Sequence, residues 1–231
     1  MQVQPNEVEA SMEVKYGALS FPDYTAAERA ADRVIHCIGV PLSIAAAGML
    51  LYRSMGMPVG VIVPIAVYLF GLVGMVGASA AYQLSGPGIA KERLRRLDRA
   101  MIFVMIAGTY TPFSVTVFRG EGGIWLCVLL WALAGIGVFF STVYPRRFER
   151  ALLAVYLIMG WMLLAMLREC YTALPHTIFA LIVAGGMVYT VGVIIQSQPK
   201  IKFHNPIWHA LILCAASLHY AAISLKLTGG I

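Results

Sequence analysis

Residues 54–90 read SMGMPVGVIVPIAVYLFGLVGMVGASAAYQLSGPGIA, 37 residues without an Asp, Glu, Lys or Arg. A bilayer core takes about 20 apolar residues per helical span, and this run carries turn signals near both ends, Met55-Gly56-Met57-Pro58 and Ser85-Gly86-Pro87-Gly88. It therefore reads as one membrane span near residues 59–84. The same test applied outward finds six further charge-free runs, at 34–52, 100–118, 122–145, 151–167, 170–199 and 203–225. Leu174-Pro175-His176 and Pro199 trim the longest of these to one helix. The predicted fold is an all-α membrane protein: a seven-transmembrane helix bundle over 34–226, preceded by a cytoplasmic tail, 1–33, that contains a short helix.

Composition agrees. Of 231 residues 60% are hydrophobic and 12% charged, with mean hydropathy +0.79, against about 25% charged in a soluble domain. That excludes a soluble enzyme and a disordered chain. The four cysteines, Cys37, Cys127, Cys170 and Cys214, show no CxxC spacing and read as small buried apolar residues. Only Cys127 and Cys170 fall near the expected outer face, where a disulfide would form.

Lys and Arg set the orientation, because cytoplasmic loops collect them. With the N-terminus inside, 13 of the 17 lie on the inner side, leaving Arg53, Arg119, Arg168 and Lys226 outside. The expectation is N-terminus cytoplasmic, C-terminus outside, in the cell's inner (plasma) membrane, multi-pass. The net charge of +6 is then a topology signal that also attracts anionic lipid; it calls for membrane lipids as partners and for no nucleic acid. Residues 1–33 lack an apolar stretch and hold six acids, so no cleavable leader is expected. Thr25-Ala26-Ala27-Glu28 has capping-box spacing and predicts a helix starting near 26 that runs into the first span.

This topology brings scattered polar residues to one depth at the inner face. Span two ends with Ser79, Tyr82 and Gln83, span three starts with Asp98, span seven starts with Asn205 and His209, and span one begins with His36. Asp98 is either an acid in the first turn of span three, favoured by the helix dipole and paired with Arg95 or Arg99, or a carboxylate turned into the bundle beside a metal-bound water. Asn205-Pro206 reads as an N-cap followed by Pro at the first helical position, yet Asn205 and His209 also share a helix face. His204, five residues before His209, lies about 140° away around an ideal helix and would reach the same site only from an unwound turn. His36 and His219 are lone histidines in apolar helices, satisfied by default by a hydroxyl or carbonyl. Trp125, Trp131, Trp161, Trp208 and Tyr144 sit mostly toward span ends, as interfacial aromatics do.

Three stretches carry a family likeness: Glu28 to Gly39, ending VIHCIG; LDRAMIFVMIAGTYTPF from Leu97 to Phe113; and NPIWHALILCAASLHY from Asn205 to Tyr220. With SAAYQ at 79–83, the chain resembles the haemolysin III branch of the progestin and adipoQ receptor family, which includes the adiponectin receptors. The resemblance implies a seven-helix bundle with a zinc site near the cytoplasmic face. It implies one His ligand from S-x-x-x-H at the end of span two, two from H-x-x-x-H at the start of span seven, and an Asp at the start of span three that holds the zinc-bound water. By position these are Ser79, Asp98 and His209, with Gln83 and Asn205 standing where the family has two His ligands. Amides are poor zinc ligands, and His204 is the candidate substitute.

Two functions follow. One is a haemolysin III-like membrane protein that acts in membrane lipid or fluidity homeostasis, with Gln83, Asn205, His209 and Asp98 as a hydrogen-bonded plug and a degenerate zinc site. The alternative is a zinc-dependent lipid amide hydrolase, ceramidase-like, acting at the inner leaflet with Asp98 and Ser79 as catalytic groups. Retinal-based pumping is excluded, since no span holds a Lys. Pore formation has no support, because no span is amphipathic.

Overall fold

Thr25 and Glu28 form the reciprocal capping box that their spacing suggests: Glu28 N–H donates to Thr25 Oγ1 at 3.2 Å and Thr25 N–H donates to Glu28 Oε2 at 2.8 Å. The helix they open, α1 (Ala26–Arg53), is the first of seven in a computed structural model that describes residues 21–229 except 119 and 145. The remainder of the expected tail, 1–20, lies outside the described residues.

The others are α2 (Val59–Leu84), α3 (Ile89–Val117), α4 (Glu121–Val143), α5 (Glu149–Ala173), α6 (His176–Gln196) and α7 (His204–Thr228). All seven are long and apolar enough to cross a membrane, and no strand occurs among the described residues. The seven-helix membrane bundle expected from the charge-free runs is therefore the observed fold. Large apolar side chains face outward along it, among them Val34, Ile38, Phe70, Ile158 and Ile194, which is the surface a lipid-embedded helix presents.

The helices start earlier than the charges allowed. α1 begins eight residues, and α3 eleven residues, before their charge-free runs. Residues 89–99 stay helical with Glu92, Arg95 and Arg96 of that stretch in ion pairs. The buried Glu92 accepts from Arg95 Nε at 3.1 Å and from Arg146 Nη2 at 2.9 Å, and Arg95 also pairs with Glu149 at the start of α5. This network clamps α3 to the α4–α5 turn, where Arg146 takes a left-handed φ of 73°. Asp98 is thus ten residues into α3 rather than in its first turn.

Two irregularities shape the far half of the bundle. Pro112 has no N–H to continue α3, which relaxes into a π turn over Phe113–Val117. α5 breaks at a 3₁₀ segment, Met162–Met166. Tyr110 splints that break: its hydroxyl donates to Gly160 O at 2.6 Å and accepts from Leu163 N–H at 3.0 Å. The Tyr and the Pro of the AGTYTPF stretch thus each have a backbone task.

Trp208 is not an interfacial aromatic; it is buried against Gly192 of α6. All four cysteines are free. Only Cys170 is buried, while Cys37 and Cys214 are exposed on the bundle's outer surface, contrary to the expectation of burial.

α2 and α3 pack most closely where Gly71 and Gly108 face each other's helix. A Cβ on Gly108 would lie 3.2 Å from Val67 O, and one on Gly71 would lie 3.1 Å from Met105 Cα. These are backbone neighbours that cannot yield as a side chain would, and small residues at such contacts are how membrane helices approach. Gly108→Val should lower stability by about 2 kcal/mol, whereas Gly77→Val, on the same pair of helices but with nothing within 4 Å, should leave it nearly unchanged. Thermal unfolding in detergent micelles checks the contrast.

A candidate polar site at one end of the bundle

The buried face of α1 is polar at its start. Asp32, His36, Gly39 and Ser43 recur at helical spacing and are buried, while Val34, Ile38 and Leu42 face outward. α1 is turned this way because Gly39 admits Leu213 of α7, which a Cβ would meet at 2.8 Å. The start of α7 is fixed against α1 too, by Phe203 N–H donating to Glu28 Oε1 at 2.9 Å. Phe203 takes a left-handed φ of 59° and holds the cap position, so α7 starts at His204 and Asn205 is not the N-cap. The side chain of Asn205 is free to turn inward, where its Nδ2 donates to Asp32 Oδ2 at 3.3 Å.

Asp32 is the hub. Its carboxylate accepts from His209 Nδ1 at 2.5 Å, and its backbone carbonyl accepts from His36 Nδ1 at 2.8 Å. Each bond assigns the proton of its ring to Nδ1, leaving Nε2 of both imidazoles as acceptors. The two Nε2 atoms converge on one hydroxyl, Ser79 Oγ, at 3.2 Å from His36 and 3.4 Å from His209. The rings meet edge to face with centroids 4.6 Å apart. Asp98 of α3 lines the same cavity. Ser79 has one proton to give and two ring nitrogens facing it, so the cluster holds more acceptors than donors.

Ser79, Asp98, Asn205 and His209 are therefore brought together from α2, α3 and α7 in one cavity lining. Gln83 lines the same cavity, but no hydrogen bond joins it to the cluster among the described residues. His204 stands apart: its Nδ1 bonds to Ile201 O at 3.1 Å and its ring faces Tyr24 at 5.7 Å. Tyr24, at the cavity mouth, stays a phenol, because burial pushes its hydroxyl up to about 12. His219 bonds to Ile182 O at 3.2 Å, the ordinary role expected of it.

Asp32 is the functional candidate that the charge pattern hid. A charge was taken to end a span, and residues up to 33 were assigned to the tail. The signal was nonetheless present, since Asp32 lies four residues before His36 on the same helix face.

Asp32, His36 and His209 each offer a ligand atom within 4.8 Å of the others. A carboxylate with two imidazoles is an ordinary donor set for zinc. The set obtained by family position, Gln83, Asn205 and His209, is a poorer one, with two amides of which one is already committed to Asp32. The cluster forms the floor of a cavity of about 620 Å³ that opens at this end of the bundle.

A family profile described as Haemolysin-III related matches residues 28–220. The chain is 32% identical over 191 residues to the Hemolysin-3 homolog of Bacillus subtilis (strain 168), covering 82% of this chain and 90% of that protein. It is 31% identical over 198 residues to Hemolysin-3 of Bacillus cereus, covering 85% and 90%. It is 28% identical over 128 residues to the human monocyte to macrophage differentiation factor, covering 54% and 52%. No solved structure gives a significant match. With seven apolar helices, a match over most of its length and relatives above 30% identity, this chain belongs to the haemolysin III-related family of multi-pass membrane proteins.

Proposed function

We propose that the protein acts in membrane lipid or fluidity homeostasis, in the plasma (inner) membrane with its polar site on the cytoplasmic side, and that Asp32, His36, Asn205, His209 and Ser79 serve as a hydrogen-bonded plug between helices. One observation carries this reading. Asp32 bonds both imidazoles and Asn205, so the cluster closes on itself although amides occupy two of the family's ligand positions. Membrane lipids are the partners such a site faces. Loss of the gene should shift fatty-acid composition or fluidity under cold or fatty-acid stress, and an unchanged membrane under both stresses would refute the role.

The donor set favours a second reading as well. Zinc, if taken up, would be held by Asp32, His36 and His209, and would supply a Lewis acid and an activated water beside Ser79 and Asp98. That is the chemistry of a lipid amide hydrolase. Metal analysis separates the two. The plug predicts well under one zinc per chain and an unfolding temperature indifferent to chelator. The hydrolase predicts about one zinc per chain, lost in His36→Ala.

The plug also predicts strong coupling across α1 and α7. Asp32→Asn and His209→Gln should each cost about 3 kcal/mol, since each leaves a buried group without its partner. The double variant should cost less than the sum by at least about 1 kcal/mol. Unfolding of the four proteins in micelles measures this, and additive losses would count against the plug.

A further inference from the structure

The mouth of the cavity has an unbalanced charge. Its rim carries four cations from three elements: Arg99 of α3, Arg150 of α5, and Lys200 and Lys202 of the α6–α7 connection. None of them takes part in a salt bridge among the described residues. Of the acids that line the cavity, Asp98 lies beside Arg99 and the others are engaged elsewhere. Glu28 accepts from Thr25 and Phe203, Glu149 from Arg95, and Asp23 faces Arg29 at 4.0 Å. The positive-inside tendency explains basic residues on this face, but not why these four gather at one opening while the rim's acids are drawn off.

A further feature points to an amphiphile rather than a free anion. The cavity does not end at its polar floor. Met75, Ile102, Trp208 and Ile212 line both it and a narrower apolar slot between α3, α5, α6 and α7 that reaches Trp161 and His219 near mid-bundle.

We propose that this cavity binds an anionic glycerophospholipid, with the phosphate diester among Arg99, Arg150, Lys200 and Lys202 and one acyl chain in the slot. The inference rests on the lipid reading above and names the lipid class that the site takes. An anionic headgroup gains from each cation it meets near the membrane surface, and the chain gains from removal of apolar surface.

The test uses the full chain in detergent, with dihexanoyl phosphatidylglycerol as probe and dihexanoyl phosphatidylcholine, glycerophosphoglycerol and inorganic phosphate as comparisons. The expected result is a saturable rise in unfolding temperature with phosphatidylglycerol alone. Arg150→Gln/Lys200→Gln/Lys202→Gln should weaken that binding by at least about tenfold. Arg33→Gln/Arg93→Gln/Arg147→Gln removes the same charge from the same end of the bundle away from the cavity, and should leave the affinity unchanged. Unfolding without lipid checks that both variants fold. Equal binding of phosphatidylcholine would overturn the charge recognition, and equal binding of inorganic phosphate or glycerophosphoglycerol would overturn the lipid. Equal loss in both triple variants would reduce the effect to general surface potential. A null phenotype on gene loss would refute the homeostatic role while leaving this binding result to stand or fall by itself.

Discussion

A carboxylate buried within a membrane helix must be compensated where it lies, and the start of this bundle is organised around that requirement at Asp32. Removing an ion from water costs several kcal/mol even after relaxation, and the hydrocarbon around α1 offers nothing in return. His209 of α7 meets one carboxylate oxygen and Asn205 the other. The docking of α7 against α1 is thereby specified by chemistry that a purely apolar seam could not provide, since lipid and leucine compete for such a seam almost equally. Glu28 reinforces the same pairing from outside the cluster, by holding the Phe203 N–H that places the first turn of α7.

From that constraint the rest of the site follows. With both Nδ1 atoms committed to Asp32, the two Nε2 atoms have only Ser79 to face, and Ser79 comes from α2, whose position is set by its glycine contacts with α3. Asp98 adds a carboxylate from α3 to the same cavity. Three helices thus meet at one hydroxyl. The surplus of acceptors over donors is what suits the cluster to a cation.

The bundle was legible in the sequence because hydrocarbon punishes every unpaired charge, so charge-free runs mark spans almost one for one. The same rule misplaced the start of α3, and at α1 it was the Thr25–Glu28 capping box that marked the start near 26. The rule treats a charge as a boundary, whereas Asp32, Glu92 and Arg95 are each paired and so remain inside the helix. Ser79, Asp98 and His209 were found because topology alone sets their depth. Which face Asp32 presents, and whether Asn205 caps α7 or turns inward, depends on Gly39 admitting Leu213 and on the left-handed Phe203, and both are tertiary facts. His36, read by itself as a histidine satisfied by a carbonyl, is that, through Asp32 O. It becomes part of a site only because the carboxylate of the same residue turns toward His209.

The two ends of the cavity separate two kinds of charge that the composition counts together. On the floor, Asp32 and Asp98 add carboxylate acceptors to the site. At the rim, Arg150, Lys200 and Lys202 make no salt bridge among the described residues, Glu28 and Glu149 being engaged with the backbone of α7 and the clamp on α3. An occupant that spans the cavity therefore meets positive charge first, then hydrogen-bond acceptors, then the apolar walls around Ile102 and Trp208. A soluble anion would use only the first of these and a hydrocarbon only the last. The order matches a molecule with a charged head, a polar junction and a chain, and the cavity's lining can discriminate among such molecules at each step independently.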